Sequence, residues 1–297
     1  MAGTRRLAMA DLRPFIDALP PQSVFLNEAS GVATSYRLQP ASADKGGRPP
    51  FVLLHGFNGS SKSWACQFAA FADRQLLAID APGFGASHPV DGGMAAIADE
   101  VAALLDHLGI KEAVIIGHSM GGMLAQVLAA RHPSCCVGLV LSCTHKGRAQ
   151  PPDSPLSADV ARRLADRAEL DDAAYGHLRV SSMLAGAVAA EVFEFLALIA
   201  GEIRPEGIRC GGRAMQILDT TALLPRLAIP VMILSADRDI VVKPDALAAL
   251  QVDLPQAMIV RLTGVGHAPY CEDAAAFNTS IDRFLTTHDL SCEWRPA

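Results

Sequence analysis

The chain has 297 residues, of which 51% are hydrophobic, 19% charged and only 5% aromatic, with a formal net charge of −6 at pH 7. That is enough apolar material for one large α/β domain or two small ones with an aliphatic core. The charges are dispersed: no Lys/Arg run suggests nucleic acid or an anionic membrane, and no stretch reaches the roughly 18 apolar residues of a membrane span.

Arg5 and Arg6 are followed too soon by Asp11 and Arg13 for a signal-peptide core. The seven cysteines include no C-x-x-C pair, and Cys135 and Cys136 are adjacent. They read as free thiols of a protein in the reducing cytoplasm. Neither they nor the nine histidines show metal-ligand spacing, so no metal is expected.

The first 21 residues are expected to form a short helix and a loop closed by Pro20 and Pro21. Runs at 23–28 and 33–39, split by Ser30-Gly31, read as a β-hairpin. Residues 41–50 form a Gly/Pro/Ser-rich turn. Short apolar runs follow at 51–54, 76–79, 113–116, 137–141, 231–234 and 257–262. Most are continuous rather than alternating, the pattern of strands buried on both faces of a parallel sheet. Helical stretches at 95–108 and 123–131 lie between them. The alternation predicts an α/β fold: a helix-flanked, mostly parallel sheet of eight strands with an antiparallel hairpin at its start.

Between residues 141 and 231 no strand-like run occurs. Helical segments are expected instead at 158–170, 173–184, 187–200 and 207–218. Pro151, Pro152 and Pro155 mark the entry, and Pro225 and Pro230 the return. An interval of this length far exceeds an ordinary crossover. It reads as a helical cap inserted between strands six and seven. The expected division is a core of 1–145 and 223–297 with a cap of 146–222.

Gly117-His118-Ser119-Met120-Gly121 directly follows the apolar run 113–116 and opens the helical stretch. Strand, then Gly-x-Ser-x-Gly, then helix is the context that turns this pattern into a chemical claim. So sharp a turn holds the serine hydroxyl out of the sheet. It also brings backbone against backbone at Gly117 and Gly121, where a Cβ would clash. A serine hydroxyl is a weak nucleophile and needs an adjacent base.

Three more motifs follow strands in order. His55-Gly56-Phe57-Asn58-Gly59 follows the third, Asp80-Ala81-Pro82-Gly83-Phe84-Gly85-Ala86-Ser87 the fourth, and Gly264-Val265-Gly266-His267-Ala268-Pro269 the eighth. Together with the Ser119 turn, over roughly residues 22–290, the chain resembles the α/β-hydrolase superfamily in its serine-nucleophile branch.

The resemblance implies Ser119 as nucleophile and His267 as base, with the acid between them in sequence just beyond residues 231–234. Asp237 and Asp239 both qualify. Asp239 is favoured because Ile240-Val241-Val242 follows it, as in relatives, and Asp237 would then cap the turn. The family's oxyanion hole implies the amides of Met120 and Phe57, with Asn58 a side-chain contributor. His55 is expected to order its loop, and Asp80 and Ser87 to be structural.

Substrate contacts are less legible. Trp64 reads as core packing, with a second reading at the pocket. The cap supplies apolar residues at helical spacing, among them Met183 and Phe193, one face of which should roof the site. Arg209 and Arg213, four apart, share a helix face and would either clamp a substrate carboxylate or face solvent. Lys146 and Arg148 are similar candidates at the cap entrance.

The stretches 117–126 and 139–144 most resemble the 3-oxoadipate enol-lactonase and small-molecule esterase branch. The implied activity is hydrolysis of an ester or lactone of a small, largely apolar or carboxylate-bearing molecule through an acyl-enzyme. No cofactor is expected, and the only partner is the small-molecule substrate, with the protein a monomer or homodimer. Carbon–carbon bond hydrolases of ring-cleavage diketones rank second, although they usually carry Asn where His118 stands. A hydrolase-fold receptor and an acyltransferase are the alternatives from other classes.

Overall fold

The computed structural model describes residues 13–41, 47–186 and 188–291. The chain opens with a short helix α1 (Arg13–Asp17) and the strands β1 (Gln22–Asn27) and β2 (Val32–Gln39). It then alternates through β3 (Phe51–Leu54), α2 (Ala65–Ala70), β4 (Leu76–Ile79), α3 (Gly93–His107), β5 (Ala113–His118), α4 (Met120–Arg131) and β6 (Cys136–Ser142). Four helices follow without a strand: α5 (Ala158–Glu169), α6 (Asp172–Ser181), α7 (Ala190–Gly201) and α8 (Pro205–Ile217). The chain closes with β7 (Val231–Ala236), α9 (Pro244–Asp253), β8 (Met258–Leu262), α10 (Pro269–Glu272) and α11 (Ala274–Thr287).

Of the helix expected in the first 21 residues, the part at 1–12 lies outside the described residues. So do residues 42–46 of the expected turn and the expected start of the third inserted helix at Ala187.

All eight strands form one sheet in the order β1-β2-β4-β3-β5-β6-β7-β8. Only β1–β2 and β2–β4 pair antiparallel; the other five pairings are parallel. The continuous apolar runs explain the centre. Successive side chains of a strand point to opposite faces, so Ile115, Leu139 and Ile233 join one core and Val114, Val140 and Met232 the other. The first core is closed by α3, α4 and α9, the second by Trp64, α2 and α11. At the sheet edge, β8 departs from the expected continuous burial. Ile259 is half exposed and burial alternates along the strand, because one face has lost its covering layer.

The helices α9 and α11 were not among the expected elements. Their signals are end signals rather than periodic ones. Pro244 occupies the first turn of α9, and the Asp273 carboxylate accepts from Ala276 N at 3.0 Å to cap α11.

The four inserted helices leave from the end of β6 and return to β7. Side chains hold them to the rest: Lys62 pairs with Glu202 at 2.6 Å, and the Arg204 guanidinium donates to Ser87 O. No described helix is long and apolar enough to cross a membrane.

Candidate active site

Ser119 sits at the C-terminal end of β5, a central strand, and caps α4. Its backbone is at φ 52°, ψ −114°, in the left-handed region that a residue bearing a Cβ enters only under constraint. The constraint comes from both sides. A Cβ on Gly117 would overlap Gly121 O, and one on Gly121 would overlap Leu54 O. Ser119 N donates to Ser142 O at 2.9 Å, and Thr144 Oγ1 donates to Ser119 O at 2.6 Å. The neighbouring strand therefore holds the turn in place.

His267 arrives from the loop after β8. Its Nε2 lies 3.1 Å from Ser119 Oγ and its Nδ1 lies 3.0 Å from Asp239 Oδ2. The imidazole is nearly buried, as is the Asp239 carboxylate, with 4% and 6% of their side chains exposed. With Nδ1–H donated to the carboxylate, the Nε2 lone pair faces the serine hydroxyl. Asp239 Oδ1 accepts from Val241 N at 2.8 Å and Val242 N at 3.0 Å, which leaves Oδ2 for the imidazole. Burial pushes the Asp239 carboxyl up, but the hydrogen bond and charge of His267 and the two backbone donors outweigh it. The net direction is down, so the group stays ionised. Asp237 is elsewhere: exposed, it accepts from Gly264 N at 2.7 Å and caps the turn.

The His267 loop has its own brace. Glu272 accepts from Gly266 N at 2.9 Å and from Ala268 N at 2.7 Å, the two amides flanking the imidazole residue. Beside His267 lie His118, ring centroid 4.9 Å away, and Cys143. Burial holds the His118 imidazole well below its ordinary pKa, and a charge on His267 acts in the same direction. Burial and Asp239 push the Cys143 thiol well up, which keeps it neutral.

On the other side of Ser119, the loop after β3 carries Phe57 and Asn58. His55 Nε2 accepts from Ala81 N at 3.0 Å, and its Nδ1 lies 2.8 Å from Gly56 O, fixing the start of the loop. Asp80 accepts from Ser61 N at 2.6 Å and Ser35 Oγ at 2.7 Å, and Ser87 Oγ donates to Asp80 O at 2.7 Å. These groups knit the two loops together. Among the described residues, the N–H groups of Phe57 and Met120 have no protein acceptor.

A cavity of about 100 Å³ lies between these loops and the inserted helices. Ser119, His267, Phe57, Asn58 and Met183 line it. Its lining includes the apolar Val180, Leu196 and Ile199 and the polar His145, Arg148 and Arg163.

Four of the residues expected at the substrate lie elsewhere. Trp64 is fully buried between Tyr270 and Phe277, at 5.4 and 6.4 Å between centroids, in the core of the sheet's second face. Phe193 stacks on His177 outside the cavity. Arg209 and Arg213 line a separate surface cleft, where Arg213 donates to the carbonyls of Pro152 and Ser154. The reason is helical phase: Gly211 and Gly212 take the inward face of α8, and two residues along a helix is a turn of about 200°. Lys146 is spent on Asp253 at 2.5 Å, whereas Arg148 lines the cavity and has no ion-pair partner among the described residues. Arg163 and its partner Asp159, both lining the cavity, escaped the sequence reading. Their signal was an i, i+4 acid–base pair on an amphipathic helix, but Arg162 beside it offered an equal candidate.

The doubly wound parallel sheet, the serine turn at the end of its fifth strand and the late histidine define an α/β-hydrolase. Residues 49–183 match the α/β hydrolase fold family, and the chain has the α/β-hydrolase fold. Among solved structures it is similar to a thermophilic esterase from Thermogutta terrifontis with malate bound. The two share 26% identity at a TM-score of 0.76, over 90% of this chain and 99% of that one. The enol-lactonase of Burkholderia xenovorans shares the fold at a TM-score of 0.75 and 23% identity, over 89% and 100% of the two chains. A 2-succinyl-6-hydroxy-2,4-cyclohexadiene-1-carboxylate synthase from Enterobacter is 32% identical, over 42% of this chain and 49% of its own.

Proposed function

We propose that the protein is a serine hydrolase of small esters or lactones that works through an acyl-enzyme. The observation that carries this reading is the chain of contacts from Ser119 Oγ to His267 Nε2 at 3.1 Å and from His267 Nδ1 to Asp239 Oδ2 at 3.0 Å. His267 takes the Ser119 proton as the oxygen attacks the carbonyl, and Asp239 holds the tautomer and stabilises the imidazolium. The developing oxyanion is received by the amides of Phe57 and Met120, a form of stabilisation worth about 3–4 kcal/mol per donor. His267 then returns the proton to the leaving oxygen and draws one from water for deacylation. The helices α5–α8 act as a cap.

The cavity supports a small substrate with an apolar part to meet Val180, Leu196 and Ile199 and a polar part to meet Arg148. A carboxylate on the substrate suits Arg148, which has no ion-pair partner among the described residues. The malate held by the similar esterase, a dicarboxylate, is in keeping with that.

The test is hydrolysis of a panel of p-nitrophenyl esters, small lactones and vinylogous diketones by the wild type and Ser119→Ala. Turnover of short esters or lactones is expected, falling at least ~10³-fold in the variant with the fold retained. Near-full activity in Ser119→Ala would end the assignment, and cleavage of diketones alone would replace it with carbon–carbon bond hydrolysis.

A further inference from the structure

We propose that Arg163, on the inserted helix α5, is a positioning residue for the oxyanion loop, so that the insertion helps to assemble the reaction site as well as roof it. The inference rests on the serine hydrolase reading. It comes from what holds residues 57–59 once the chain has left β3.

The sheet anchors the loop only as far as Leu54, and His55 anchors its first turn. Phe57, Asn58 and Gly59 are then half-buried and off the sheet. Gly59 packs on Ser63 and His55 of the core, but much of what meets Phe57 and Asn58 belongs to the insertion. Arg163 Nη1 donates to Asn58 Oδ1 at 2.9 Å, and the guanidinium carbon lies over the Phe57 ring, 5.1 Å from its centroid. Asp159, one turn earlier on α5, holds Arg163 Nε at 3.0 Å and fixes the direction of the fork. Only 16% of the Arg163 side chain is exposed.

From the other side, α8 approaches the same residues at Gly211. A Cβ there would stand 2.9 Å from Met120 Sδ and 3.1 Å from Phe57 Cε2. The Phe57 ring is thus gripped between a guanidinium of α5 and the backbone of α8, with Phe84 at 6.2 Å closing the cage. Both residues whose amides receive the oxyanion are therefore in contact with the insertion. Donors of this kind act by being in place before charge develops. A ring that fixes the peptide ahead of it does that work without touching substrate.

A guanidinium lining the cavity could instead bind a substrate carboxylate. Arg163 is poorly suited to that, since Asp159 balances its charge and Asn58 takes one of its donors. Arg148 has neither partner.

The experiment compares wild type, Arg163→Met, Arg163→Lys, Asn58→Ala and the double variant Arg163→Met/Asn58→Ala. Substrates are p-nitrophenyl acetate and the mono-p-nitrophenyl ester of succinate, and binding of a boronic acid serves as a transition-state mimic. The positioning role predicts a kcat about tenfold lower in Arg163→Met on both esters, with KM within twofold, the size of one lost hydrogen bond. Boronate affinity should fall by a similar factor. Arg163→Lys should recover part of it, and the double variant should be no worse than the weaker single. A KM increase confined to the succinate ester would overturn the proposal in favour of carboxylate binding. Unchanged kcat with a lowered melting temperature would overturn it in favour of a purely structural contact. Ser119→Ala is run beside them: if it retains activity on these esters, the hydrolase reading fails, whatever Arg163 does.

Discussion

The two halves of the cavity are held by different means. On the sheet side, a backbone group takes part in every hold. Ser119 is forced into its turn by Gly117 and Gly121, one oxygen of Asp239 is pinned by two amides, and the peptides around His267 are pinned by Glu272. On the inserted side, long side chains do it: Arg163 to Asn58, Lys62 to Glu202, Arg204 to Ser87 O. Backbone contacts in a close-packed core leave no room for adjustment. A partly exposed ion pair such as Lys62–Glu202 contributes little and can re-form, whereas the nearly buried Arg163 cannot move freely. On the proposed reading the reacting groups are held rigidly, and the roof is adjustable where it rests on pairs like Lys62–Glu202.

The sharpest way to break this contrast is Gly121→Ala. The new methyl would meet Leu54 O, a strand carbonyl that cannot yield. We expect a loss of more than about 3 kcal/mol in stability, read by thermal or urea unfolding, or failure to fold. A near-normal transition would show that the turn is softer than its contacts imply.

Glu272→Gln comes next. The amide keeps the size and one acceptor, but the charge that served two amides is gone. We expect kcat to fall about tenfold with KM and melting temperature nearly unchanged. Equal loss in KM and stability would mean that the brace supports the fold at large.

Acid pH probes the buried sheet side. Burial depresses the pKa of both His55 and His118 below 6.5. Below that pH the unfolded chain takes up protons that the folded one refuses. Stability from this source is therefore complete above pH 6.5 and falls as the pH drops through it, by up to about 1.4 kcal/mol per pH unit for each imidazole. His118→Asn should flatten the slope measured by urea unfolding between pH 6.5 and 5, and an unchanged slope would remove His118 as its source.

The smallest effect is expected at Lys62→Ala. Its pair with Glu202 is 27% and 40% exposed, so stability should change by less than about 1 kcal/mol. A larger loss would show that the roof is held more firmly than its contacts suggest.

What could be read from the sequence follows the same division. The serine turn, the His55 loop and the late histidine announce themselves through glycine: backbone crowding demands it at Gly117 and Gly121, a close side chain at Gly56 and Gly266, and a positive φ at Gly264. Asp239 is favoured over Asp237 in the sequence only through its apolar followers; in the structure the backbone amides of Val241 and Val242 hold its carboxylate, a contact that any residue but proline could make. In the insertion, the four helices were legible from periodicity and proline, but not the facing of their polar residues. Arg209 and Arg213 looked better than Arg163 because they share a helix face. The Gly211-Gly212 pair between them, which marks the face pressed against Met120 and Val160, was the clue that they point away. Trp64 shows the converse, since nothing local in the sequence tells a buried indole from one at a pocket wall.

The chain leaves for the inserted helices and comes back from them through one neck: Ala149 N donates to Leu218 O at 2.8 Å, and Thr220 N donates to Lys146 O at 3.0 Å. Entry and exit are therefore side by side, like the two ends of a cassette. A different run of helices could be spliced between them without altering any strand register, so a new roof could arrive in one genetic exchange while Ser119, Asp239 and His267 stayed where they are. What such an exchange would have to supply anew is a partner for Asn58.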